Sequence, residues 1–334
     1  MLTVLSWLAV CSAVAATNIF IADYAGSLTS ASLTEQAGAY SLEKTFVNRD
    51  CAPNPSWLTI DPTHRLLFCL NEGLKTVNGS LSSFTISPDG SLQHVQNTTT
   101  ISGPVSGVIY GQYNSNRGIA LAHYTGSAVT SWLLEGGGKF EHNQNLPYTL
   151  PHPGPDAERQ DAPHEHEAIL DPTGQYLLVP DLGADLVRVF SWSPHSLDLK
   201  ALAPLKAASG SGPRHAAFWN PYGVACEGCT TYFYLVAELA STITGYAVEY
   251  LPNGGGLAFT KVYNTTTFGK PQIPKGSAPA EVHVSVSIAS TTQPSSTLTS
   301  YSPTTDTSWS PTVAISRLES QTHLHLSRCK MTDP

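Results

Sequence analysis

A strand-turn-strand unit that returns along the chain restricts what this sequence can fold into more than any other feature. Its clearest copy is Asp161 to Phe190, DAPHEHEAILDPTGQYLLVPDLGADLVRVF. A histidine-rich lead-in (Pro163, His164, Glu165, His166) enters an apolar run that ends at Asp171-Pro172-Thr173-Gly174. A second apolar run, Tyr176 to Val179, meets the acidic turn Asp181 to Asp185, and Leu186 to Phe190 then alternates. Short β-branched or aromatic runs broken by Asp, Pro and Gly read as antiparallel strands joined by tight turns. The unit returns at Pro213 to Leu251 (PRHAAFWNPYG, TTYFYLVAEL, STITGYAVEYL), at Pro55 to Leu92, and more weakly at Pro104 to Leu134. The segments NIFIADYAG and SLTSASL supply the later strands of a unit that lacks its first strand. A sixth unit opens at Pro279 and breaks off after Ser285.

The starts at Pro55, Pro104, Pro163, Pro213 and Pro279 lie about 50 to 65 residues apart, the period of propeller blades. Each unit reads as a four-stranded antiparallel sheet, and radial packing of such sheets protects their edges. The fold class is therefore all-β, a β-propeller. With charged residues at only 13%, and with 26 Gly and 24 Pro, the composition suits many strands and tight turns. A net charge of −8 without a basic cluster argues against nucleic acid or an anionic membrane surface as partner. The missing first strand of the first unit fits a ring closed by the C-terminal end of the chain. From Val286 to Pro334, however, the sequence turns Ser/Thr/Pro-rich and loses the strand-turn period. Residues 17–285 thus form the propeller domain and 286–334 a tail, either disordered and mucin-like or the product of a wrong reading frame or exon boundary. The break falls inside a repeat, which favours the second reading, and the consequence is an open or poorly closed ring with about five complete blades.

Met1 to Ala16 has an apolar core too short to span a bilayer and ends in small residues, as a cleaved signal peptide does, although its first residues carry no Lys or Arg. Sequons at Asn78, Asn97 and Asn264 agree with a secreted, glycosylated chain. In an oxidising compartment Cys51 and Cys69, both near the first strands of the second repeat, are expected to pair. Cys226 and Cys229 read as a local loop disulfide, since neither a second pair of zinc ligands nor a helix-opening redox context accompanies them. Cys329 is left over.

In a propeller blade the lead-in to the first strand and the turn between the second and third strands share one face. That topology gathers His164 and His166, Arg214 and His215, and Glu281 and His283 with the turn residues Asp23, Asn71, Glu72, Asp181 and Glu238. A funnel lined by His, Arg and Glu can move protons near neutrality and hold an anion or a developing oxyanion. That chemistry suits opening or forming an ester ring. Plainer roles compete: His215 precedes an apolar run and reads equally well as a buried hydrogen-bonded residue, and Asp23, Asp181 and Asp185 sit where Asp caps its own turn. Arg214 could be an ion pair between blades. His164-Glu165-His166 resembles part of a metal site, but no third ligand is local. No phosphate loop, nucleophile elbow or dinucleotide fingerprint is present.

The stretches PHEHEAILDPTGQYLLVPDLGADLVRVF, GSGPRHAAFWNPYG, YLVAELASTITGY and PAEVHVS together resemble the seven-bladed propeller lactonases. That family contains bacterial-type 6-phosphogluconolactonase and fungal carboxy-cis,cis-muconate cyclase. The resemblance covers about Thr17 to Ser285 and implies seven blades and no required metal or organic cofactor. By the PHEH, PRH and AEL motifs it implies a catalytic set of His166, with His164 second, Arg214 and Glu238; His164, His215, Glu281 and His283, gathered at the same funnel, are expected to contact substrate. The expected substrate is a small anionic lactone or carboxylate. Hydrolysis leads, a muconate-type cycloisomerisation is the runner-up, and a non-catalytic secreted propeller that binds a glycan or protein is the alternative from another class. Loss of the pattern after Ser285 puts the last blades and activity itself at issue.

Overall fold

The computed structural model describes residues 16–111, 116–220, 230–269, 272–284 and 298–301. They form six antiparallel sheets. The first holds β1 (Ala16–Asp23), β2 (Ser27–Gln36) and β3 (Ala39–Asn48). The second holds β4 (Pro55–Asp61), β5 (Leu66–Asn71), β6 (Ser80–Ile86) and β7 (Leu92–Thr99). The third holds β8 (Pro104–Gly111), β9 (Arg117–His123), β10 (Ala128–Leu134) and β11 (Phe140–Pro147). The fourth is built from β12 (Ile169–Leu170), β13 (Leu177–Asp181), β14 (Leu186–Trp192) and β15 (Leu199–Ala201), with β16 (Leu205–Lys206) also on β14. The fifth comprises β17 (Pro213–Trp219), β18 (Thr231–Ala237), β19 (Thr242–Tyr250) and β20 (Leu257–Thr266), and the sixth pairs β21 (Glu281–Val284) with β22 (Leu298–Tyr301). Among the described residues no helix is long and apolar enough to cross a membrane.

Alternation along the strands builds the core as slabs between successive sheets, because neighbouring residues of a strand face opposite ways. On β5, Leu67 packs toward the first sheet with Phe20, Leu28 and Phe84, while Phe68 and Leu70 pack toward the third with Ile119, Leu121 and Trp132. On β13, Leu177 and Val179 join the slab holding Tyr110 and Phe190, and Leu178 joins Phe233 and Leu235 of the fifth sheet. Strands buried on both faces read as continuous apolar runs, which is why LLFCLN and LLVPD look unlike surface strands.

Inner strands of adjacent sheets are tied by side chains. Ser56 Oγ donates to the Pro104 carbonyl at 2.9 Å, Trp57 Nε1 to the Gly107 carbonyl at 2.9 Å, and the Ala168 amide to Ser106 Oγ at 3.2 Å. The residues before β2, β10, β14 and β19 share a left-handed backbone: Gly26 (φ 90°), Ser127 (47°), Asp185 (52°) and Ser241 (49°). Asp185 tolerates this conformation. Its carboxylate accepts the Gly210 and Gly212 amides at 2.6 and 2.9 Å, anchoring the lead-in to β17.

Among the described residues four sheets hold four strands or more, the first holds three and the sixth two. The strand pattern does not end at Ser285, since Leu298–Tyr301 pairs with β21 across the Ser/Thr-rich stretch. The PHEH segment is not a regular strand: it joins β13 through an isolated Glu165–Asp181 bridge before the two-residue β12. Asp181 uses its carboxylate there to accept the His164 and Ala184 amides, each at 2.9 Å. The Cys51–Cys69 disulfide is present, whereas Cys226 and Cys229 lie outside the described residues. Asn78, Asn97 and Asn264 are all exposed.

Candidate active site

The lead-in and second-turn positions converge on one face. At its centre Glu238, 7% exposed, bridges two guanidiniums. Oε1 accepts Arg159 Nη2 at 2.6 Å and Oε2 accepts Arg214 Nε at 2.8 Å. Arg214 is further pinned by donating to the Ala280 carbonyl. Arg159 also reaches the Tyr124 hydroxyl at 3.3 Å, and its side chain is 42% exposed against 21% for Arg214. Of the two, Arg159 therefore keeps more of its fork open to the mouth.

His166 is half-buried beside this pair. Its ring meets Tyr124 edge-on at 5.4 Å and His215 at 5.1 Å, with His166 Nδ1 3.3 Å from His215 Nε2. Beyond it His215, 4% exposed, places Nδ1 2.9 Å from Glu281 Oε1. A carboxylate accepts, so His215 carries its proton on Nδ1 and turns its Nε2 lone pair to His166. His166 then donates from Nδ1, which leaves Nε2 as its basic nitrogen. Burial first, and then the charge of Arg214, hold the His166 imidazole well below its usual range, so it is neutral near neutrality. Burial likewise lowers His215.

His164 stacks on Tyr124 at 4.3 Å with rings 12° apart. Its Nδ1 meets the Tyr124 carbonyl at 2.8 Å and its Nε2 meets Asp161 at 2.9 Å. Both nitrogens are thus occupied, and the residue props Tyr124. Glu165 points elsewhere, to Arg188 Nε at 2.8 Å; burial, with the Asp181 charge beside it, pushes its carboxyl up to about 8. Glu72 accepts the Tyr24 hydroxyl at 2.8 Å, and burial raises its carboxyl. Asp23 caps its own turn through the Ala25 and Ser27 amides, and Asn71 holds the Asn54 amide. These are structural parts. His283 is exposed and lines the channel cavity with Glu167, Glu281, Trp57 and Phe218.

His166, Arg214, Glu238, His215 and Glu281 therefore share one neighbourhood. The sequence reading missed Arg159, Tyr124 and Glu167. A signal for Tyr124 existed. The last residues of the second strands are Asp23, Asn71, His123, Asp181 and Ala237, so the first turn residues are Tyr24, Glu72, Tyr124, Leu182 and Glu238. Aligning on strand ends puts both tyrosines in register with Glu238. Arg159 lies in the connector between β11 and β12, outside any repeat.

Residues 18–302 match the family model described as "Lactonase, 7-bladed beta-propeller". A protein of Arthroderma benhamiae named "Probable 6-phosphogluconolactonase" is 28% identical over 240 residues, 72% of this chain and 57% of its own length. The 6-phosphogluconolactonase of Yersinia pestis is 40% identical over 96 residues, 28% of this chain and 26% of its own. The periplasmic gluconolactonase of Pseudomonas aeruginosa superposes with a TM-score of 0.65 at 24% identity, covering 81% of this chain and 73% of that one. That likeness speaks to the fold. The chain spans little more than half the length of the fungal relative.

Proposed function

The chain belongs to the seven-bladed β-propeller lactonase family, and from that premise we propose that its funnel hydrolyses a small anionic lactone of the 6-phosphogluconolactone type. The observation that carries this reading is the Glu238 carboxylate, which holds Arg159 and Arg214 side by side next to a neutral His166. His166 Nε2 takes a proton from water as the water oxygen bonds to the lactone carbonyl carbon. The carbonyl oxygen becomes an oxyanion, for which Arg214 supplies charged donors. The ring C–O bond then breaks, and the proton on His166 passes to the departing alkoxide. The guanidinium fork of Arg159 suits the phosphate or carboxylate of the substrate, and Tyr124 offers a flat apolar wall. His215 and Glu281 fix the His166 tautomer.

Export remains part of the proposal. It is supported by the Cys51–Cys69 bond and by three exposed sequon asparagines. Acid release from 6-phosphogluconolactone, measured beside loss of muconate absorbance, separates hydrolysis from cycloisomerisation. H166Q and R214Q are expected to lower the hydrolytic kcat/KM by about 100-fold or more. Full lactone turnover in both variants would sink the reading and leave a binding module as the better account.

A further inference from the structure

We propose that Glu167, His215 and Glu281 form a binding site for a borderline divalent cation of the Mn2+ or Zn2+ class, set where the funnel meets the channel cavity. The three come from separate elements: the segment before β12, the start of β17 and the start of β21. Their candidate ligand atoms all lie within 4.8 Å of one another. His215 Nδ1 is 2.9 Å from Glu281 Oε1 and 3.9 Å from Glu167 Oε1. A cation about 2.0 to 2.2 Å from each of three N/O ligands needs separations close to these, so small side-chain shifts suffice.

A second observation points to a missing partner. Glu167 is 6% exposed. Its Oε2 accepts the Ala216 amide at 2.6 Å, whereas Oε1 has no hydrogen bond among the described residues and is aimed at His215. Two carboxyl groups thus face one buried imidazole, that of Glu281 on a side chain still 29% exposed. Among the described residues no Lys or Arg pairs with either; the nearby Arg214 directs Nε to Glu238 and Nη1 to the Ala280 carbonyl. Glu281 is paired with His215 and the Val282 amide, but burial and the Glu281 charge push the Glu167 carboxyl well up, and a buried carboxyl group so placed either keeps a proton or takes a metal. A divalent cation takes the place of the proton that His215 Nδ1 shares with Glu281; the neutral imidazole then carries its proton on Nε2 and donates to His166, so the metal-loaded state and the state in which His166 acts as base exclude each other. Glu167 and Glu281 also line a cavity of about 450 Å³, where water can fill the remaining coordination positions. One nitrogen with two carboxylate oxygens favours Mn2+ or Zn2+ over the all-oxygen shell that Ca2+ prefers.

The test is calorimetric titration of the chelator-stripped full chain with Mn2+, Zn2+ and Ca2+, with Mn2+ binding followed also by electron paramagnetic resonance. One saturable Mn2+ or Zn2+ site per chain is expected, with Ca2+ binding at least tenfold weaker. E167Q and E281Q, each nearly isosteric, should weaken the Mn2+ or Zn2+ site at least tenfold while their metal-free thermal unfolding shows a folded protein. H64Q, far from the site, should bind as the unaltered chain does. No saturable binding by the unaltered chain overturns the proposal, as does unchanged affinity in both glutamate variants.

Discussion

Keeping His123 unprotonated should cost this fold about 2 kcal/mol of stability by pH 5, a magnitude that follows from how the residue is enclosed. The side chain is fully buried at the end of β9. Its Nδ1 faces the Ser102 carbonyl at 3.3 Å and its Nε2 faces the Thr130 hydroxyl at 2.9 Å. The neutral ring satisfies both by donating from Nδ1 and accepting at Nε2. Burial pushes the imidazole down to about 4, against backbone hydrogen bonds that favour the charged form. An unfolded histidine titrates near about 6.5. Above that value both states are neutral and His123 imposes no cost. As pH falls from about 6.5 to about 4 the unfolded chain takes the proton and the folded chain does not, so stability drops across that window. Each tenfold difference in proton affinity between the two states is worth about 1.4 kcal/mol, so the loss approaches about 2 kcal/mol at pH 5 and about 3 kcal/mol below pH 4. Urea unfolding of the unaltered chain and of H123N at pH 7.5 and pH 5.0 isolates this contribution. Other histidines, such as His166 and His215, titrate in both proteins and cancel to the extent that distant sites are additive. H123N is less stable overall, but its loss between the two pH values should be smaller by about 2 kcal/mol. Equal losses in the two proteins would refute the reasoning.

Arg159 donates a charged hydrogen bond to Glu238 and faces the mouth, so R159Q should lower kcat/KM for an anionic lactone about 10- to 100-fold. The loss should fall mainly on KM and shrink for an uncharged lactone. The disulfide joins residues 18 apart in sequence, so the C51A/C69A double variant should lose about 3 kcal/mol in urea unfolding. D185A removes the acceptor of the Gly210 and Gly212 amides and should cost about 1 to 3 kcal/mol, with the earliest hydrogen exchange at the lead-in to β17.

The repeat was legible because a blade needs the same short signals each time: a lead-in proline, an apolar run, an Asp or Gly turn. His166, Arg214 and Glu238 could be grouped from the sequence because lead-in residues and second-turn residues share one face of that unit, and the PHEH, PRH and AEL motifs singled them out. Register was harder to see, since whether Asp181 or Leu182 matches Glu238 depends on where the strand stops pairing, which no single residue declares. Arg159 was invisible for a different reason. The 148–168 connector carries no period, and its arginine gains meaning only when folding brings it 2.6 Å from a glutamate 79 residues away. Glu167 looked like one more polar residue of the lead-in until β21 brought Glu281 against the same histidine. The strand at 298–301 was hidden because serine and threonine were read there as tail composition.

The apolar interior is parcelled into separate slabs, each owned by two adjacent sheets. Damage in one slab is therefore felt chiefly by its two owners, and cooperativity passes from neighbour to neighbour as it does along a row of coupled units. The funnel is less tolerant, because Tyr124, His166, Arg214 and Glu281 come from the third, fourth, fifth and sixth sheets in turn, and loss of any of these takes a lining residue with it.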